Sequence, residues 1–160
     1  MKYYTKEDTK LYHMSFNSKL PSILIPRQPA SLNEDHNEHH LPDRVSFAPT
    51  IRQCWLALFY NIMEEDRLYK KLTFNIYRLN SHKPLEVIDP KLVLKYVYDA
   101  SVTGEVCVVE PAPIIKLGTI EIQSDLKHPV RLNSKKKTIV GYEPIFFNKP
   151  RITSEVIRYV

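Results

Sequence analysis

Three short segments carry polar side chains of types that do chemistry, each near the start or end of a strand. Leu11-Tyr12-His13-Met14-Ser15 sets a histidine inside an apolar strand. Arg44-Val45-Ser46-Phe47-Ala48-Pro49-Thr50 sets a serine and an aromatic just ahead of a helix. Thr103-Gly104-Glu105-Val106 puts a carboxylate at the mouth of a strand. A fixed carboxylate stabilises positive charge that develops on a reacting group. An aromatic face attracts a flat cation, and an imidazole is both donor and acceptor. Each has a plainer role beside it. A lone strand histidine is often a satisfied core residue, Phe47 fits a core, and strand-end glutamates commonly face solvent.

Other groups compete for attention. Arg27 and Arg44 flank the first two segments, and a guanidinium pairs well with phosphate oxygens or with a surface carboxylate. Glu110 sits before Pro111 at the far end of the strand that Glu105 opens, and Glu121 alternates with Ile120 and Ile122 as a solvent-facing residue does. His36, His39 and His40 lie in a loop-like stretch with no cysteine near, so no metal site is expected there. The two cysteines, Cys54 and Cys107, both fall in apolar segments. Buried thiols in such surroundings stay protonated, so neither is expected to act as a nucleophile.

The elements that must position these groups follow from pattern. Lys10–Ser15 and 44–48 read as short strands, separated by a proline-bearing loop and a polar stretch, 31–43. Thr50 with Gln53 fits a capping box. Ile51, Cys54, Trp55, Leu58 and Ile62 then fall on one helical face, widened by Ala57 and Phe59, which predicts a buried helix near residues 50–65. Glu64, Glu65 and Asp66 oppose the helix dipole and favour a stop there. Leu72, Phe74 and Ile76 alternate with Thr73, Asn75 and Tyr77, the period of a half-buried strand. Further strands are expected at 85–88, 105–110, 114–123, 139–147 and 153–159, with a short helix at 91–96 and a bulge at Gly118. Helices early and strands late imply an α+β fold of two packed, mainly antiparallel sheets.

Composition sets the outer bounds. The chain has 160 residues, enough for one domain, 1–160, with its own core. No run approaches the ~20 apolar residues of a membrane helix, and no membrane partner is expected. The N-terminus lacks a signal-peptide stretch, and two cysteines in apolar segments suit a reducing, cytoplasmic setting. Three glycines exclude phosphate-cradling glycine loops. The net charge of +5 resides wholly in residues 112–160, densest at Lys135, Lys136 and Lys137. That run reads either as a solvated loop or as a patch for an acidic partner. No aromatics interleave with it, which argues against single-strand stacking.

The order of the three segments, a His, then a Ser-Phe turn before a helix, then a late Glu, resembles the NAD-binding core of ADP-ribosyltransferases. The resemblance covers roughly residues 10–122. It implies an NAD-binding cleft between two sheets and transfer of ADP-ribose to a macromolecule, a protein rather than nucleic acid, or hydrolysis of NAD. It implies that His13 bonds the adenosine ribose, that Ser46 and Phe47 line the nicotinamide pocket, and that Glu105 assists bond cleavage. Arg27 and Arg44 would meet the pyrophosphate, and loop 28–43 would close over the bound NAD. Many members carry paired tyrosines, where this chain has Phe47, Phe59 and Tyr60. Arginine-specific members carry a second Glu two residues before the catalytic one, where this chain has Thr103, so arginine is not the expected acceptor. A tRNA phosphotransferase-like enzyme would share the NAD chemistry, but its arginine-rich signature is missing. The alternative outside this class is a virus- or mobile-element-encoded binding or inhibitor protein that uses the basic C-terminal third as its interface.

Overall fold

The computed structural model describes residues 1–29, 37–62, 67–132 and 140–147. In chain order the elements are β1 (Tyr3–Tyr4), β2 (Tyr12–Ser15), β3 (Ile23–Leu24), a 3-10 turn (Asn37–His40), β4 (Val45–Phe47), α1 (Ile51–Ile62), a second 3-10 turn (Arg67–Tyr69), β5 (Leu72–Leu79), β6 (Glu86–Val87), α2 (Pro90–Tyr96), α3 (Ala100–Thr103), β7 (Val106–Val108), β8 (Ala112–Arg131) and β9 (Val140–Phe147). The strands form two antiparallel sheets, so the coarse α+β expectation holds. One sheet runs β1-β6-β7-β4; the other runs β2-β5-β8-β3, with β9 also paired to β8. A seam joins them. Tyr12 N–H donates to Ala48 O at 2.8 Å and Ala48 N–H donates back to Tyr12 O at 2.9 Å, tying β2 to the end of β4.

The capped helix forms where expected, and its foot differs in one respect. Gln53 N–H donates to Thr50 Oγ1 at 3.1 Å, the forward half of a capping box. The Gln53 amide does not return the bond. It accepts from the Thr50 hydroxyl at 2.9 Å and donates to Val102 O at 3.4 Å, reaching α3. Ile51, Cys54, Trp55 and Leu56 are buried and Leu58 packs on their cluster with Phe74, Ile76, Ile120 and Ile122. Leu56, outside the predicted stripe, is fully buried because α1 is enclosed by β2, β9 and α3. Trp55 Nε1–H reaches Tyr142 O at 2.9 Å and fixes α1 on β9.

β5 is more buried than its alternation implies. Asn75 and Tyr77 are also buried, Tyr77 within the second core cluster, and both bond to the chain leaving β2. The Asn75 amide donates to Ser15 O and Phe16 O, and Tyr77 OH donates to Asn17 O at 2.9 Å. Beside Gly118 the pairing of β5 with β8 slips by one residue between Ile76 and Tyr77, the expected bulge. Five elements escape sequence reading: β1, β3, α3 and the two 3-10 turns. Each has four residues or fewer, too short for a period to register. The expected helix stop at Glu64-Glu65-Asp66 and the strand at 153–159 lie outside the described residues.

Candidate functional site

β4 and β7 pair antiparallel with Ser46 opposite Cys107 and Phe47 opposite Val106. Directly paired residues point to the same face and i, i+2 neighbours share it, so Ser46, Cys107 and Glu105 converge. The Ser46 hydroxyl donates to Glu105 Oε1 at 2.5 Å. The Cys107 thiol lies 3.5 Å from the same oxygen and 3.9 Å from Ser46 Oγ. On the other side of the seam, His13 Nδ1 is 3.0 Å from Ser46 O. A carbonyl only accepts, so Nδ1 carries the hydrogen and Nε2 keeps its lone pair. Burial pushes the His13 pKa down, Arg27 adds to that, and the bond to Ser46 only partly opposes it. The imidazole is therefore neutral near pH 7. His13, Ser46 and Glu105 are each half-buried.

The turn that delivers Glu105 is built from α3 and Gly104. Asp99 O accepts the Val102 and Thr103 N–H groups and, at 3.2 Å, the Thr103 hydroxyl. Gly104 then takes φ 61°, ψ 30°, the left-handed cap that stops a helix, and donates its N–H to Ala100 O. A Cβ at Gly104 would stand 2.9 Å from Gln53 Nε2 and 3.3 Å from Pro49 Cγ.

Other expected site residues have different fates. Phe47 is 2% exposed and belongs to a core cluster with Leu11, Val45, Tyr77 and Val108. Its ring meets His13 edge-on at 5.9 Å between centroids. Phe47, expected to offer a face to a ligand, is packed into the core here. Arg44, expected at a pyrophosphate, is likewise turned inward. It is 3% exposed, and its guanidinium is ion-paired to Glu38 Oε2 at 2.6 Å rather than presented to a phosphate. Arg27 pairs its backbone with that of Arg44, and its side chain is exposed. Glu110 is committed to the Glu86 N–H at 2.8 Å. Glu121 lies on β8, between Thr73 of β5 and Phe147 of β9.

Sequence reading missed Asp99, Glu38 and the place of Cys107. Asp99 is 3% exposed, and burial, then the charges of Glu105 and Glu38, push its pKa from 3.8 to about 8. The signal was available only in part: Asp99 stands one turn before a helix-stopping glycine, an N-cap position, yet its side chain caps nothing. Cys54 and Cys107 are both buried and unbridged. Burial raises both thiol pKa values, Cys54 to about 12. Both therefore stay protonated, as expected from sequence.

The loop at 28–43 is anchored where it is described. Leu41 is buried, Gln28 Nε2 donates to Leu41 O at 2.9 Å, and Glu38 is held by Arg44. His39 and His40 stack on each other at 4.1 Å, and His40 meets Tyr96. Among the described residues no group of three or more His, Cys, Asp or Glu is placed to hold a metal ion. His36, Lys135, Lys136 and Lys137, and the side chains of Phe59 and Tyr60, lie outside the described residues. Among the described residues no helix is long and apolar enough to cross a membrane. Comparison with known proteins gives no match to a family model, a curated protein or a solved structure.

Proposed function

We propose that this chain is an ADP-ribosyltransferase-like protein that binds NAD at the seam between its sheets and cleaves the bond from ribose to nicotinamide. One observation carries the reading: three segments far apart in sequence meet through Ser46, whose carbonyl accepts from His13 and whose hydroxyl donates to Glu105. The residues suit NAD as substrate. Neutral His13 keeps an acceptor nitrogen for a ribose hydroxyl. Glu105 supplies a carboxylate held by a serine and, among the described residues, ion-paired to no cation. Exposed Arg27, close enough to His13 to depress its pKa, suits a phosphate. Phe47 and Arg44 have no part in this version of the site.

In the cleavage step the C–N bond to nicotinamide breaks and its electron pair leaves with the ring, which becomes neutral. The ribosyl group left behind is cation-like. A fixed carboxylate beside it lowers the barrier because it needs no reorganisation as charge develops. An acceptor on a macromolecule, a protein more than a nucleic acid, or water then adds to the ribosyl carbon and loses its proton.

The test is nicotinamide release from NAD by the wild type and by Glu105→Gln, which keeps the shape and removes the charge. A loss of 100-fold or more in kcat is expected, on the order of that for removing one strong electrostatic stabiliser. Release undiminished in the variant would refute the role of Glu105. No release by the wild type, with and without a mixture of candidate acceptor proteins, would refute the function.

A further inference from the structure

Gln53 adds a hydrogen-bonded link between α1 and α3, which also pack together through Val102. It belongs to the first turn of α1, where a capping-box glutamine would fold back on the helix start. Its amide points outward instead. The oxygen accepts from the Thr50 hydroxyl at 2.9 Å, which fixes the amide orientation, and the nitrogen donates to Val102 O at 3.4 Å. Val102 lies in α3, two residues before Gly104. The same nitrogen stands where a Cβ on Gly104 would come within 2.9 Å. Gly104 therefore serves twice: its φ of 61° suits a residue without a Cβ, and its bareness admits the Gln53 amide. The next residue is Glu105, whose carboxylate meets Ser46 Oγ.

We propose that Gln53 is a positioning residue for Glu105, clamping the turn that aims the carboxylate onto the foot of the best-anchored helix. The inference rests on the NAD-cleaving reading for why that aim matters, while the clamp itself is testable without it. Gln53 touches neither Glu105 nor a ligand; it acts through Val102 and Gly104. A displacement of about 1 Å in a catalytic group costs up to 100-fold in rate, so a slack turn lowers kcat while NAD binding through His13 and Arg27 persists.

The experiment compares Gln53→Glu with Asp89→Ala. Gln53→Glu keeps an acceptor for Thr50 but removes the donor to Val102 O. Asp89→Ala removes the N-cap of α2, whose Oδ1 accepts from Lys91 N–H at 2.9 Å, and serves as a destabilised control away from the turn. Gln53→Glu is expected to lower kcat for nicotinamide release on the order of tenfold or more, with KM for NAD within about twofold. Asp89→Ala is expected to leave kcat unchanged. Equal kcat in the two variants, with an active wild type, overturns the proposal. An inactive wild type overturns the parent reading as well, so the two failures are distinct. Thermal midpoints of Gly104→Ala, Gln53→Ala and the double variant probe the clamp directly. Truncating Gln53 should relieve part of the loss caused by Gly104→Ala, and strictly additive losses would overturn the contact.

Discussion

At the residue scale, Ser46 is the hub, because both its backbone and its side chain are used. Ser46→Ala keeps the carbonyl that His13 needs and removes only the bond to Glu105. It is expected to lower nicotinamide release by about tenfold with little change in folding, checked by kcat beside a thermal melt. Asp99 governs a pH dependence of stability. Its pKa is raised to about 8 in the folded chain from 3.8. Between these values the folded state holds a proton that the unfolded state has lost, so stability falls as pH rises through that window. Asp99→Asn removes the effect. The variant should gain on the wild type by up to about 1.4 kcal/mol per pH unit between pH 4 and 8, measured by denaturant titrations at several pH values. A constant difference across that range would refute it. His13 acts the other way: its lowered pKa means stability is lost as pH falls below the ordinary histidine value near 6.5.

At the element scale, α1 carries the heaviest duty. Its apolar face fills the main core, its foot holds the Glu105 turn, and Trp55 bonds to β9. Trp55→Phe keeps most of the buried area but loses the indole N–H, and is expected to cost about 1–2 kcal/mol in chemical denaturation. Thr50→Ala removes the cap and the orienting partner of Gln53, for about 1 kcal/mol. The segment from the first 3-10 turn to β4 is held by a buried pair, Glu38 with Arg44. Glu38→Gln leaves the arginine charge uncompensated and should cost about 3 kcal/mol by the same measurement, since an unpaired buried charge is expensive. A change within error would show that the Arg44 charge finds another partner.

At the scale of the whole molecule, the two sheets share a buried core cluster and are also tied by backbone bonds at the seam where the candidate site lies. β2 presents His13 from one sheet, and β4 and β7 present Ser46 and Glu105 from the other. A ligand bound there would contact both sheets and oppose their separation. NAD is therefore expected to raise the thermal midpoint of the wild type, and less so in a His13→Ala variant. An equal rise in both would remove His13 from the binding site.

Local order was legible in the sequence because its signals are local. The capped helix, the alternating strand at Leu72–Leu79 and the bulge at Gly118 each follow from residues within a few positions of one another. So did the burial of both cysteines. His13, Ser46 and Glu105 could be picked out by type, but their meeting could not, because it depends on antiparallel register across 33 and 59 residues. The same holds for the inward placement of two other expected site residues. Phe47 and Arg44 are of types that bind ligands, and only the packing of the second core cluster and the nearness of Glu38 turned them inward. The burial of Asp99 beside Glu38 and the outward turn of Gln53 left no mark in the sequence, since each depends on residues brought from a distant part of the chain. Residue type and spacing determined the elements and proposed the chemistry; tertiary contact alone decided which side chains face one another.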